Sequence, residues 1–113
     1  MTLQEFKNKL QNEASTIDFK ETIELIESNY NFTPSAFKNG ELENQSTENQ
    51  GSCKVFSFAI KEELSKEETL ACFGQYYAEV VNDPNGTGHQ NIRNFMKTGF
   101  EGLSFENEPL TKL

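Results

Sequence analysis

Apolar residues return at helical spacing along most of this chain. Leu3, Phe6 and Leu10 mark a first helix over about residues 3–13, and Phe19, Ile23, Ile26 and Tyr30 a second over about 19–30. Each opens on a capping box, Thr2 with Glu5 and Asp18 with Glu21, in which side chain and backbone satisfy each other's free N–H groups. Both read as core helices with charged outer faces.

The pattern changes after Tyr30. Thr33-Pro34 ends helical continuation, and Asn39-Gly40, between Phe37 and Leu42, signals a short hairpin or extended segment. Glu43 to Gln50 carries no apolar residue and reads as a polar loop, mobile or wrapped over a site. Gly51-Ser52-Cys53-Lys54 then opens a third helix, with Ser52 as its cap and Phe56, Ala59, Ile60 and Leu64 at helical spacing. Val55, Phe56 and Phe58 would also suit a strand, but the helix formers after them favour helix.

Ser65 with Glu68 is a third capping box. Behind it, Leu70, Phe73, Gly74, Tyr77 and Val81 share one face of a helix of about 17 residues, which the spacing predicts as the central one. Pro84-Asn85-Gly86 stops it. Ile92, Phe95, Met96 and Gly99 share one side of a last helix beginning near His89, and Gly99 and Gly102 end it. Leu103-Ser104-Phe105 reads as a short strand, and Glu108 to Leu113 as a loose tail. The expectation is a mainly α, single domain over residues 1–113. It has about five helices, with a short hairpin or strand pair from Phe37–Leu42 and Leu103–Phe105.

Composition narrows the function classes. Eighteen acidic residues against ten basic ones leave a net charge of −8, and the basic residues form no patch. Phosphate contacts dominate nucleic-acid affinity, so neither nucleic acid nor an anionic membrane is expected as a partner. Met1 to Phe6 lacks the apolar region of a signal peptide. Cys53 and Cys72 are expected as free thiols in a cytoplasmic, monomeric protein. With one histidine and no Cys-x-x-Cys pair, neither zinc nor any cofactor is expected.

Candidate chemistry gathers at the two later helix starts. The run from Thr87 to Phe100 holds the only histidine, His89, and the only arginine, Arg93. With Asn91, they offer imidazole, amide and guanidinium beside a buried seam, suited to a small polar or anionic ligand with Arg93 as a fork donor. Cys53 stands at the other helix start, where the dipole lowers a thiol pKa. With His89 as base and Asn91, Asn49 or Asp83 as orienter, a Cys-His-Asn arrangement can be drawn, although Cys53 also suits a buried packing role near Phe56. Cys72 reads as core, and Tyr76-Tyr77 as packed rings with one satisfied hydroxyl. Gly86-Thr87-Gly88 before a helix is a weak phosphate-cradle signal, since its spacing matches no established phosphate loop.

Three blocks carry a resemblance: Gly51-Ser52-Cys53-Lys54, Thr69-Leu70-Ala71-Cys72-Phe73-Gly74-Gln75-Tyr76-Tyr77, and Gly88 to Met96. Together with Tyr30, Phe32-Thr33-Pro34, Phe37, Asn39-Gly40, Asn49 and Gly102-Leu103-Ser104-Phe105, they make the chain resemble the HopJ type III effector family from about Phe19 to Leu110. The family name implies secretion into a host cell; it implies no biochemical mechanism. The expectation is a small acidic binding or interaction module. Its ligand or protein partner meets a polar pocket made by His89, Asn91, Arg93, Ser52, Lys54 and Asn49 and closed by the Glu43–Gln50 loop. The alternatives are a cysteine-dependent hydrolase or transferase using Cys53 and His89, and a type III secreted effector.

Overall fold

The three capping boxes form as the sequence predicts. In the computed structural model, which describes residues 1–113, Thr2 caps α1 (Leu3–Asn12), Asp18 caps α2 (Phe19–Asn29) and Ser65 caps α4 (Lys66–Ala71), each with its reciprocal glutamate. Helix α1 buries Phe6 and Leu10, and α2 buries Leu25 and Ile26. The remaining helices are α3 (Gln50–Lys61), α5 (Gln75–Asn82) and α6 (Gln90–Thr98), with 3₁₀ turns at Ala14–Thr16 and Gly99–Gly102. Five short strands complete the chain: β1 (Tyr30–Phe32), β2 (Phe37–Asn39), β3 (Leu42–Asn44), β4 (Leu103–Phe105) and β5 (Leu110–Lys112). The architecture is mainly α, with six helices and two small antiparallel sheets, β1–β5 and β3–β2–β4.

The expected hairpin is real. Asn39 pairs with Leu42 across Gly40, whose φ of +63° suits a glycine, and β4 adds to the other side of β2, setting Phe105 opposite Phe37.

Three expectations are corrected. The central helix is α3, which buries Cys53, Val55, Phe56, Ser57, Phe58 and Ala59, residues on both sides of its axis. Phe56 packs on Phe95, Phe73 and Phe37, and Phe58 packs on Phe6 and Tyr30, so one helix joins two halves of the core. Each fully buried phenylalanine contributes about 1.5–3 kcal/mol, which makes this the main energetic centre.

Secondly, the 17-residue helix is two helices. Gly74 turns the chain with φ +57° and ψ −127°, and a Cβ there would stand 2.6 Å from Phe19 N and 2.7 Å from Ile17 O. The corner presses against the start of α2, where Gln75 accepts a 2.9 Å hydrogen bond from Phe19 N. The break leaves Val81 exposed instead of packed.

Thirdly, the tail is not loose. Leu110 is fully buried, and β5 pairs with β1, Phe32 facing Leu110 and Tyr30 facing Lys112. The hydroxyl of Tyr30 donates to Glu62, which also holds Lys7 at 2.8 Å.

Candidate functional site

Helices α3 and α6 begin without the side-chain caps that open α1, α2 and α4. The residues before them, Asn49 and His89, lie in the left-handed region, at φ 52° and 55°. Ser52, expected as a cap, lies within the first turn of α3 and makes no capping bond. The first intrahelical bonds come from Cys53 N to Asn49 O and from Arg93 N to His89 O. Ahead of them, the amides of residues 50–52 and 90–92 donate to no group of the protein. Two sets of free donors, each at the positive end of a helix dipole, therefore border one cavity.

That cavity has a volume of about 590 Å³. Asn49, Gly51 and Ser52 contribute from α3, and His89, Gln90, Asn91 and Ile92 from α6; Leu42 closes part of the rim. The walls between them are aromatic. Phe19 stacks at 6.1 Å on Phe73 and meets the edge of Tyr76 at 5.1 Å, and Tyr76 lies 5.3 Å from the His89 ring. Gly51 lets the wall come close, since a Cβ there would reach 3.2 Å from the Phe19 ring.

A buried amide cluster holds the two helix starts in register. Asn91 Oδ1 accepts from Asn39 Nδ2 at 3.1 Å and from Asn44 Nδ2 at 3.2 Å. Asn91 Nδ2 donates to Asn44 Oδ1 at 3.0 Å, and Asn49 Nδ2 to the same oxygen at 2.7 Å. Asn39, Asn44 and Asn91 are all almost wholly buried. One cluster thus ties the β2–β3 hairpin to the residue before α3 and to the first turn of α6.

Of the six expected ligand residues, Asn49, Ser52, His89 and Asn91 line the cavity. Lys54 and Arg93 do not. Lys54 lies 3.1 Å from Glu27 and over the Phe32 ring, while Arg93 donates to the backbone carbonyls of Gly88 at 2.5 Å and Pro84 at 3.4 Å. The polar loop contributes Asn49 alone, because its first residues belong to β3 and Asn44 points into the buried cluster.

Cys53 and His89 are not hydrogen-bonded to each other. Cys53 is fully buried, its sulfur lies 3.9 Å from the Ser35 carbonyl, and burial pushes its thiol up to about 11, the reverse of the expected lowering at a helix start. His89 Nε2 instead donates to Glu79 at 2.5 Å. Cys72 is likewise fully buried, with its thiol pushed up by burial and then by Glu68.

Sequence reasoning missed Glu79, Phe19 and the Asn39–Asn44 pair. A signal existed for the first: Glu79 follows Tyr76 by three residues, so both face the same way from α5. No pattern could announce a contact between α2 and α3.

Fold and site together define a helical protein with a preformed, aromatic-walled cavity set at two helix starts. Over residues 3–110 the chain matches the family model described as HopJ type III effector protein, and it belongs to that family. It is similar in structure to VPA0580, a protein of unknown function whose crystal structure is solved; the two share 49% identity and a TM-score of 0.96, over 100% of this chain and 95% of that one. No curated protein matches the chain. No helix is long and apolar enough to cross a membrane.

Proposed function

We propose that this protein is a binding module whose ligand sits between the starts of α3 and α6, with an anionic or strongly polar head on the free amides and an apolar or aromatic body against Phe19 and Tyr76. The observation that carries the reading is the convergence of unpaired amides from both helices on a single 590 Å³ cavity. Each helix start acts as about half a positive charge. No carboxylate is among the residues that line the cavity, and Glu79 is turned onto His89.

Backbone strain points the same way. Left-handed conformations at residues other than glycine cost about 1–3 kcal/mol and cluster at ligand sites. Three such residues exist, and two of them, Asn49 and His89, begin the helices that bound the cavity. The unpaired thiols of Cys53 and Cys72 fit a reducing compartment, the cytoplasm. The cysteine-enzyme alternative gains no support from a sulfur that is buried, of raised pKa and bonded elsewhere.

Calorimetric titration with phenyl phosphate, inorganic phosphate and phenethylamine tests the proposal. Phenyl phosphate should bind, phosphate more weakly and the amine not at all. Tyr76→Leu should weaken phenyl phosphate more than phosphate. Equal binding of the amine, or none of the three binding at millimolar concentration, would refute it.

A further inference from the structure

The chain holds two Asn-Gly pairs, Asn39-Gly40 and Asn85-Gly86, and the fold treats them in opposite ways. Such a pair carries a chemistry of its own. The main-chain nitrogen of the glycine, unobstructed by a side chain on its own residue, can attack the asparagine side-chain carbonyl. What decides the outcome is how firmly nitrogen and carbonyl are held.

Asn39-Gly40 is held at both ends. Asn39 is fully buried in β2, the middle strand of its sheet, and its Nδ2 donates to Asn91 O at 2.7 Å and to Asn91 Oδ1 at 3.1 Å. Gly40 N donates to Gly102 O at 2.9 Å. Neither group can turn toward the other without opening the sheet and the amide cluster.

Asn85-Gly86 stands at the other extreme. It lies in the short connection between α5 and α6, where Asn85 is exposed and Gly86 N donates across one turn to Asp83 O at 3.1 Å. Arg93 grips this connection on both sides of the pair, donating from Nη1 to Pro84 O at 3.4 Å and from Nε to Gly88 O at 2.5 Å. The next residue is His89, whose left-handed backbone and bond to Glu79 set the imidazole at the cavity.

We propose that Asn85 is a site of spontaneous deamidation, and that its product reshapes the connection that delivers His89 to the cavity. Gly86 N bonds to Asn85 Cγ, the bond from Cγ to the side-chain nitrogen breaks, and ammonia leaves with the proton of the attacking amide. The product is a five-membered imide. Water then adds to one of its two carbonyls and opens the ring. One opening gives aspartate; the other gives isoaspartate, in which the main chain runs through Cγ. Water is the only co-reactant. Isoaspartate adds one carbon to the main chain, about 1.5 Å, between the two carbonyls that Arg93 holds. The added length has to be taken up between those anchors or break one of them, and His89 follows directly. Nothing in this chemistry depends on a ligand in the cavity.

The test is to age native protein, urea-unfolded protein and native Asn85→Gln side by side at mildly alkaline pH and body temperature. Peptide mass mapping follows each asparagine, and the chain's only histidine gives one set of imidazole signals. In the fold, Asn85 should convert, with isoaspartate among the products. Asn39 should react at least about a hundredfold more slowly, because it waits for an opening of the core. In urea the two should convert at comparable rates. A second set of His89 signals should grow in step with conversion at Asn85. It should be missing from aged Asn85→Gln, whose longer side chain closes a six-membered ring far more slowly. Asn39 converting as fast as Asn85 in the fold, or Asn85 intact over the time that converts the unfolded chain, would overturn the proposal. So would His89 signals unmoved at full conversion, or the same new signals in aged Asn85→Gln.

Discussion

Replacing Asn91 by alanine should cost the fold about 3 kcal/mol, because the side chain is the hub of the buried amide cluster. It accepts from Asn39 and Asn44 and donates to Asn44, at 3.0–3.2 Å. Each bond contributes about 1 kcal/mol net. Asn39 Nδ2 keeps the Asn91 carbonyl at 2.7 Å, and Asn44 Oδ1 keeps Asn49, so those partners are not orphaned. Asn44 Nδ2 is left only with Phe37 O at 3.5 Å, which adds about 1 kcal/mol for a buried donor poorly paired and offsets the lower end of the bond estimates. With a urea slope of about 1.5 kcal/mol/M, the midpoint should fall by about 2 M. Asn44→Ala breaks two of the same bonds, so the double variant should lose about 1–3 kcal/mol less than the two single losses together. Urea denaturation of wild type, both single variants and the double variant gives all the values. A loss below about 1 kcal/mol for Asn91→Ala, or additivity within about 0.5 kcal/mol, would show that the amides do not act as one unit.

Other consequences follow from individual residues. Gly74→Ala should destabilise by about 3 kcal/mol or more, since left-handed strain adds to a clash with the backbone of Ile17 and Phe19; a denaturation curve near wild type would contradict the packed corner. Leu110→Ala should cost about 2–5 kcal/mol, as expected for a fully buried leucine and not for a loose tail, again read by denaturation. Cys53 should alkylate slowly at neutral pH and no differently in His89→Ala, with rapid, His89-dependent labelling as the opposing result. In the fold, Cys53 lies at about 11 and Tyr30 at about 12, raised by burial from ordinary values of 9.0 and 10.0. A raised folded value favours the protonated folded form, so this stability is whole below about pH 9 and is lost as pH climbs toward 12. Melting temperature against pH should bend downward in that window, and a flat profile would refute the burial of both groups.

The elements legible in the sequence are those announced by side chains. Three capping boxes located three helix starts to the residue, and Asn39-Gly40 located the hairpin, because each is a local exchange of hydrogen bonds. The starts of α3 and α6 carry no such signature. They use left-handed residues that only tertiary contacts hold in place, so Ser52 was a reasonable but mistaken cap. The break at Gly74 was hidden because helical spacing of apolar residues runs straight through it, and the cause lies in the approach of α2. Strand β5 was invisible because its partner, β1, begins at Tyr30, which also fits the stripe of α2. At the site, residue chemistry located His89, Asn91, Asn49 and Ser52 at one cavity. It misdirected Arg93 and Lys54, whose sequence neighbourhood says nothing about the direction their long side chains take.

The central claim is that free amides at two helix starts hold the head of a ligand. It is tested most directly by following the amide signals of isotope-labelled protein during titration with phenyl phosphate. Saturable shifts at Gly51, Ser52, Gln90, Asn91 and Ile92, with ring-current shifts reporting the phenyl group near Phe19 and Tyr76, are the predicted result. Shifts scattered over the surface, or none at these five amides at millimolar ligand, would contradict it.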